Sequence, residues 1–133
     1  MKKVLVAGVF DILHTGHLMF LQKAKKLGDE LIVIVTCDAV AKRQKKNPVN
    51  SEKERAGLVA GLKPVDKVII GLDTDDYFKM VKEIKPDVLV LGHDQKYDVD
   101  GLVKSGYRGK TVRLKRYNGR STSGLKKNVK NMI

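Results

Sequence analysis

Residues 4–17 read VLVAGVFDILHTGH, and this stretch decides the fold. Its first seven residues are an apolar run that ends at Asp11, a turn signal. A short run of this kind reads as a strand buried on both faces. Helical spacing begins at once. Leu18, Leu21, Ala24 and Leu27 recur near a 3.6-residue period, and Gly28 supplies a stop, which predicts a helix over 16–27. A strand that runs directly into a helix opens an α/β unit.

The same alternation extends outward. Residues 31–37 (LIVIVTC), 67–71 (KVIIG), 87–92 (DVLVLG) and 110–115 read as four further strands. Residues 38–50, polar and basic around Pro48, read as a loop. Ser51 and Glu54 fit a capping box opening a helix to about Leu62. Thr74 is the expected cap of a helix over 75–84. Weaker helical patterns cover 98–106 and 122–131. The strands are continuous apolar runs, the mark of parallel strands covered on both sides. The expectation is an α/β fold: a Rossmann-like, doubly wound five-stranded parallel sheet with helices on both faces. It forms a single domain over 1–133. Ligands of such sheets bind at the carboxyl ends of the strands, at the switch point.

Composition removes other classes. The chain of 133 residues has one cysteine, Cys37, which excludes an internal disulfide framework. A hydrophobic content of 42% is too high for a disordered chain. No apolar run approaches the ~20 residues of a membrane span. Lys2 and Lys3 precede an apolar stretch too short for a secretory signal. A soluble cytoplasmic domain is the expectation, with no membrane partner. The net charge of +12 is uneven: residues 101–133 hold 10 basic side chains and no acidic ones. A second cluster is Lys42, Arg43, Lys45 and Lys46. Both point to a polyanionic partner. A small nucleic-acid-binding module would need interleaved aromatics, and aromatic residues are only 5%.

His14 and His17 stand three residues apart where the first helix begins. A helix N-terminus presents unpaired N–H groups and a partial positive charge, which suits phosphate. Gly8 and Gly16 would leave room for a phosphate to approach the backbone. Imidazoles there donate to phosphoryl oxygens, more strongly if protonated. The alternatives are structural histidines or a zinc pair. No further ligand cluster stands near the pair, so no protein metal ligands are expected.

Gly8, Phe10, Asp11, His14, Gly16 and His17 together form GxFDxxHxGH without gaps. This pattern resembles the HxGH nucleotidyltransferase superfamily, which includes cytidylyltransferases and adenylyltransferases. The resemblance implies direct attack of an acceptor phosphate on the α-phosphate of a nucleoside triphosphate, with pyrophosphate leaving. By resemblance, Gly8, Val9, Phe10, Asp11, His14, Gly16 and His17 bind the nucleotide, and His14 and His17 are catalytic. Lys42 is the expected catalytic loop lysine. Lys42, Lys46 and Arg55 are expected at the substrate phosphates. His93 and Asp94, after the fourth strand, are expected at the nucleotide. Residues 116–123, RYNGRSTS, are similar to the RTEGISTT motif of glycerol-3-phosphate cytidylyltransferases at Arg116, Gly119, Ser121 and Thr122. These four join the nucleotide site, with Arg116 also catalytic.

Three segments, LGDELIVIV (27–35), LKPVDK (62–67) and LGHDQ (91–95), look more like archaeal-type FAD synthases. The cytidylyltransferases carry Trp where this chain has Gln95. The resemblance therefore implies AMP transfer from ATP to FMN, with Mg²⁺ or another divalent cation accompanying ATP. Glycerol-3-phosphate cytidylyltransferase and heptose-phosphate adenylyltransferase are the alternative readings. Relatives are often dimers, so a homodimer is the assembly the resemblance allows. Tyr97, Tyr107 and Tyr117 are the candidates to stack on a flavin ring. Cys37 is expected to be a small buried residue.

Overall fold

A computed structural model describes residues 1–74, 76–92, 95 and 97–115. Its strands are β1 (Lys3–Gly8), β2 (Glu30–Val35), β3 (Lys67–Ile70), β4 (Val88–Leu91) and β5 (Lys110–Arg113). Its helices are α1 (Thr15–Lys25), α2 (Asp38–Arg43), α3 (Glu52–Ala60), α4 (Tyr77–Ile84) and α5 (Val99–Lys104). The five strands form one sheet in the order β3-β2-β1-β4-β5, and every pairing is parallel. This is the doubly wound, Rossmann-like sheet that the apolar runs imply. The chain winds outward from β1 in both directions, so the switch point lies between β1 and β4.

The period of two along each strand builds two cores. Val4, Val6, Leu31, Val33, Val35, Val88 and Val90 pack on one face with Leu21 and Ala24 of α1 and Val59 of α3. Leu5, Ile32, Ile34, Leu89 and Leu91 pack on the other with Met80 and Val81 of α4 and Leu102 of α5. Alternate side chains of one strand thus serve opposite cores, which is why the strands read as unbroken apolar runs. Fully burying one such aliphatic side chain contributes about 1.5–3 kcal/mol.

Two local expectations change. Residues 38–43 are not loop but the helix α2. Val40 and Ala41 are buried, and Asp38 and Glu52 exchange bonds through their backbone N–H groups at 3.0 and 3.3 Å. The basic composition hid a short helix whose buried side is only two residues wide. The fourth helix starts later than expected. Asp76 is its cap, accepting from the Lys79 N–H at 3.2 Å, while Thr74 accepts from the Asp76 N–H. The capping box at Ser51 is half formed: Ser51 accepts from the Glu54 N–H, and its hydroxyl lies 3.3 Å from the Glu54 carboxylate. The helix expected over 122–131 lies outside the described residues.

Candidate active site

The site is assembled at the carboxyl edge of β1. His14 is the N-cap of α1, in extended backbone. Its Nδ1 accepts the Gly16 N–H at 3.0 Å, and its own N–H donates to His17 Nδ1 at 3.2 Å. The two rings lie 4.1 Å apart between centroids, tilted by 44°. Both Nδ1 atoms are hydrogen-bond acceptors, so each neutral ring carries its proton on Nε2. Protonation would set an N–H against an N–H. Burial, and secondarily the neighbouring His14, holds the His17 pKa below its ordinary 6.5. The geometry thus holds both Nδ1 atoms as acceptors and turns each Nε2 outward from these bonds, and at His17 burial favours the neutral ring.

The two glycines also make room for neighbouring rings. A Cβ at Gly8 would stand 2.9 Å from the Phe10 ring, and one at Gly16 2.7 Å from the His14 ring. Phe10 is buried, with φ of 51°, a backbone state that costs a non-glycine residue energy. Its ring lies 5.8 Å from that of His17. Gly8 seats the Phe10 ring, and Gly16 seats the His14 ring.

Two expected ligand residues are tied into the scaffold. Arg55 is fully buried and its guanidinium is taken up by partners within the protein. It donates to the carbonyls of Asn50 (3.0 Å), Val9 (2.8 Å) and Thr36 (2.7 Å), and to the Asp38 carboxylate (2.6 Å). It clamps the ends of β1 and β2 to α2. Asp11 is likewise engaged within the protein. Its carboxylate accepts from the N–H groups of Val49 (2.8 Å) and Asn50 (3.0 Å), and Asn50 Nδ2 donates to the Asp11 carbonyl. These bonds, Asn50 first and then Val49, lower its pKa.

A cavity of about 370 Å³ opens on the α4–α5 side of the same edge. Leu5, Ile34, Val81, Leu89 and Leu91 form an apolar floor. Thr36, Gln44, Lys46, Gln95 and Tyr97 supply polar groups, and the cavity reaches Gly8 and Val9 of the motif. Its size and lining suit a small ligand with one apolar end. The loop lysine at its wall is Lys46, and Lys42, on the exposed last turn of α2, is not a lining residue. Tyr97 lines the cavity, edge-on to Phe78 at 6.0 Å. Tyr107 is removed as a stacking candidate. It is buried, its hydroxyl donates to Pro86 and Lys110 carbonyls, and burial followed by the Asp87 charge raises its pKa to about 12. Cys37 is buried, as expected.

His93, Asp94, Arg116, Tyr117, Gly119, Ser121 and Thr122 lie outside the described residues. Among the described residues no three His, Cys, Asp or Glu side chains gather as a metal site. Nor is any helix among them long and apolar enough to cross a membrane. Sequence reasoning missed Thr36 and Gln44 as lining residues. Thr36 directly follows the apolar run of β2, and that position at the carboxyl edge was the available signal.

A parallel sheet with paired imidazole donors at its switch point defines an α/β protein of the nucleotidyltransferase class. The chain belongs to the cytidylyltransferase-like family, whose model matches residues 5–128. It is 44% identical over 131 residues to the FAD synthase of Aciduliprofundum boonei, covering 96% of this chain and 87% of that one. It is 42% identical to the FAD synthase of Thermoplasma acidophilum, covering 100% and 97%. A crystal structure from Thermoplasma volcanium, described as a lipopolysaccharide core biosynthesis protein, superposes with a TM-score of 0.84. That chain is 43% identical, with 89% of this chain and 99% of that one covered.

Proposed function

We propose that this enzyme transfers AMP from ATP to FMN, forming FAD and pyrophosphate. A phosphate oxygen of FMN attacks the α-phosphorus, and the bond from that phosphorus to the bridging oxygen of the β-phosphate breaks. The electron pair leaves with pyrophosphate. Catalysis of such a step rests on positioning and charge stabilisation. His14 and His17 supply the donors, their Nε2–H groups facing the triphosphate while Nδ1 is fixed by the backbone. A divalent cation enters with ATP as the substrate's counter-ion.

The observation that carries this reading is that the motif bearing the imidazole pair also lines the cavity, through Gly8 and Val9. An acceptor ring in the cavity, against Tyr97, would bring its phosphate toward Lys46 and the motif. The near-full-length likeness to FAD synthases supports FMN as that acceptor. Pyrophosphate release should be measured with ATP or CTP, each paired with FMN, glycerol 3-phosphate or a heptose phosphate. Release with ATP and FMN is expected. Release only with ATP and the heptose phosphate, or only with CTP and glycerol 3-phosphate, would overturn the acceptor. Release with no pair would overturn the reaction class.

A further inference from the structure

We infer that Gln95 is a positioning residue whose carboxamide replaces the missing β1–β4 rung at the switch point and fixes the crevice that carries the cavity. The strand register motivates this. β1 pairs with β2 along all of Lys3–Gly8, but with β4 only through Val4–Val88 and Leu5–Leu89. Beyond Leu5 the two central strands part. Into this opening comes the Gln95 side chain. Its Oε1 accepts the Gly92 N–H at 2.7 Å, and its Nε2 donates to the Ala7 carbonyl at 3.0 Å. A carboxamide has one acceptor and one donor side, as a peptide group has, so it satisfies both strands at a greater separation.

The bridge is itself held. Arg113, the last residue of β5, donates through one guanidinium nitrogen to the carbonyls of Gly92 (2.7 Å) and Gln95 (2.6 Å). A continuous polar chain therefore runs from β5 through the turn after β4 to β1. Gln95 also lines the cavity. Its loss would let the mouth change width while both cores beneath remain. A leucine would leave the Ala7 carbonyl and the Gly92 N–H without these partners, and a shorter asparagine would not span them together. Glutamate offers a sharper probe. Ionised, it still accepts from Gly92 but faces the Ala7 carbonyl with a second oxygen. Protonated, it donates there and restores the bridge.

The consequence for acceptor binding rests on the FMN reading above, so the test has two independent arms. Hydrogen exchange at the Gly92 amide reads the bridge without any substrate. It should be at least about tenfold faster in Gln95→Leu than in the wild type. Steady-state kinetics read the consequence. Gln95→Leu should raise the FMN KM about tenfold, with the ATP KM changed less than twofold. Gln95→Glu should show a penalty in FMN KM, relative to wild type, that shrinks as pH falls from about 7.5 to about 5.5. Unchanged exchange at Gly92 would overturn the bridge. An equal rise in both KM values, or a Gln95→Glu penalty constant with pH, would overturn the positioning role. A wild type that forms no FAD would contradict the FMN reading alone, because the exchange arm still decides the bridge.

Discussion

At the scale of single residues, the imidazole pair is defined by what its Nδ1 atoms already do. Both are committed to backbone N–H groups, which leaves Nε2–H as the working donor of each ring. His17→Ala should lower kcat by at least ~10²-fold, the usual cost of one charge-stabilising donor. A near-wild-type kcat would remove His17 from the reaction. The pH dependence follows from the direction of its shift. The folded ring holds its proton less tightly than the ordinary 6.5, so it stays neutral below that pH. The acid limb of kcat should have its midpoint below 6.5, and a kcat that instead rises as pH falls through this range would make the protonated ring the active form. Folding stability should also fall as pH drops from about 6.5, because the unfolded chain takes up the proton first. Arg55 belongs to this scale as well. Arg55→Ala should cost about 3 kcal/mol in urea unfolding, since it strands three carbonyls and the Asp38 carboxylate. A stable variant with only a raised substrate KM would return Arg55 to the phosphate site. The histidines were legible in the sequence because their spacing is local. Arg55 was not, because its partners Val9 and Thr36 lie 46 and 19 residues away.

At the scale of elements, the turn after β1 and the loop after α2 form one unit. Asp11 ties them through Val49 and Asn50, and the same loop carries Lys46 to the cavity wall. Asp11→Ala should raise the FMN KM by about fivefold, through loss of the bonds that hold the loop, with a smaller effect on ATP. An unchanged FMN KM would show that the loop needs no such tie. Because its pKa is depressed, Asp11 contributes stability that is present above its ordinary 3.8 and lost as pH falls through the lower folded value. Gly16→Ala should leave the helix formed and lower kcat at least about tenfold, by displacing the His14 ring that a Cβ would meet at 2.7 Å. The strands were readable from unbroken apolar runs. The helix α2 was not: Val40 and Ala41 are its only buried residues, too few for a helical period to emerge from a basic stretch.

At the scale of the molecule, the sheet does two things with one strand. β1 is central, so its carboxyl end faces α1 on one side and the cavity on the other. The sequence implied parallel strands covered on both faces, because the three central strands are nearly continuous apolar runs. It could not order them, since an apolar run does not say which strand lies beside it. The order β3-β2-β1-β4-β5 is what turns the motif after β1 into a crevice between β1 and β4. Of the charge excess, Lys46 has a place at that crevice, and five of the ten basic residues of 101–133, those beyond Lys115, lie outside the described residues. The central claim is the transfer of AMP to FMN across this crevice. It is tested most directly with ATP radiolabelled at the α-phosphorus, incubated with FMN and the enzyme, followed by separation of the flavins. The account predicts label in FAD, with one pyrophosphate released for each FAD formed. FMN recovered unlabelled while the enzyme transfers a nucleotide to glycerol 3-phosphate or a heptose phosphate would contradict it.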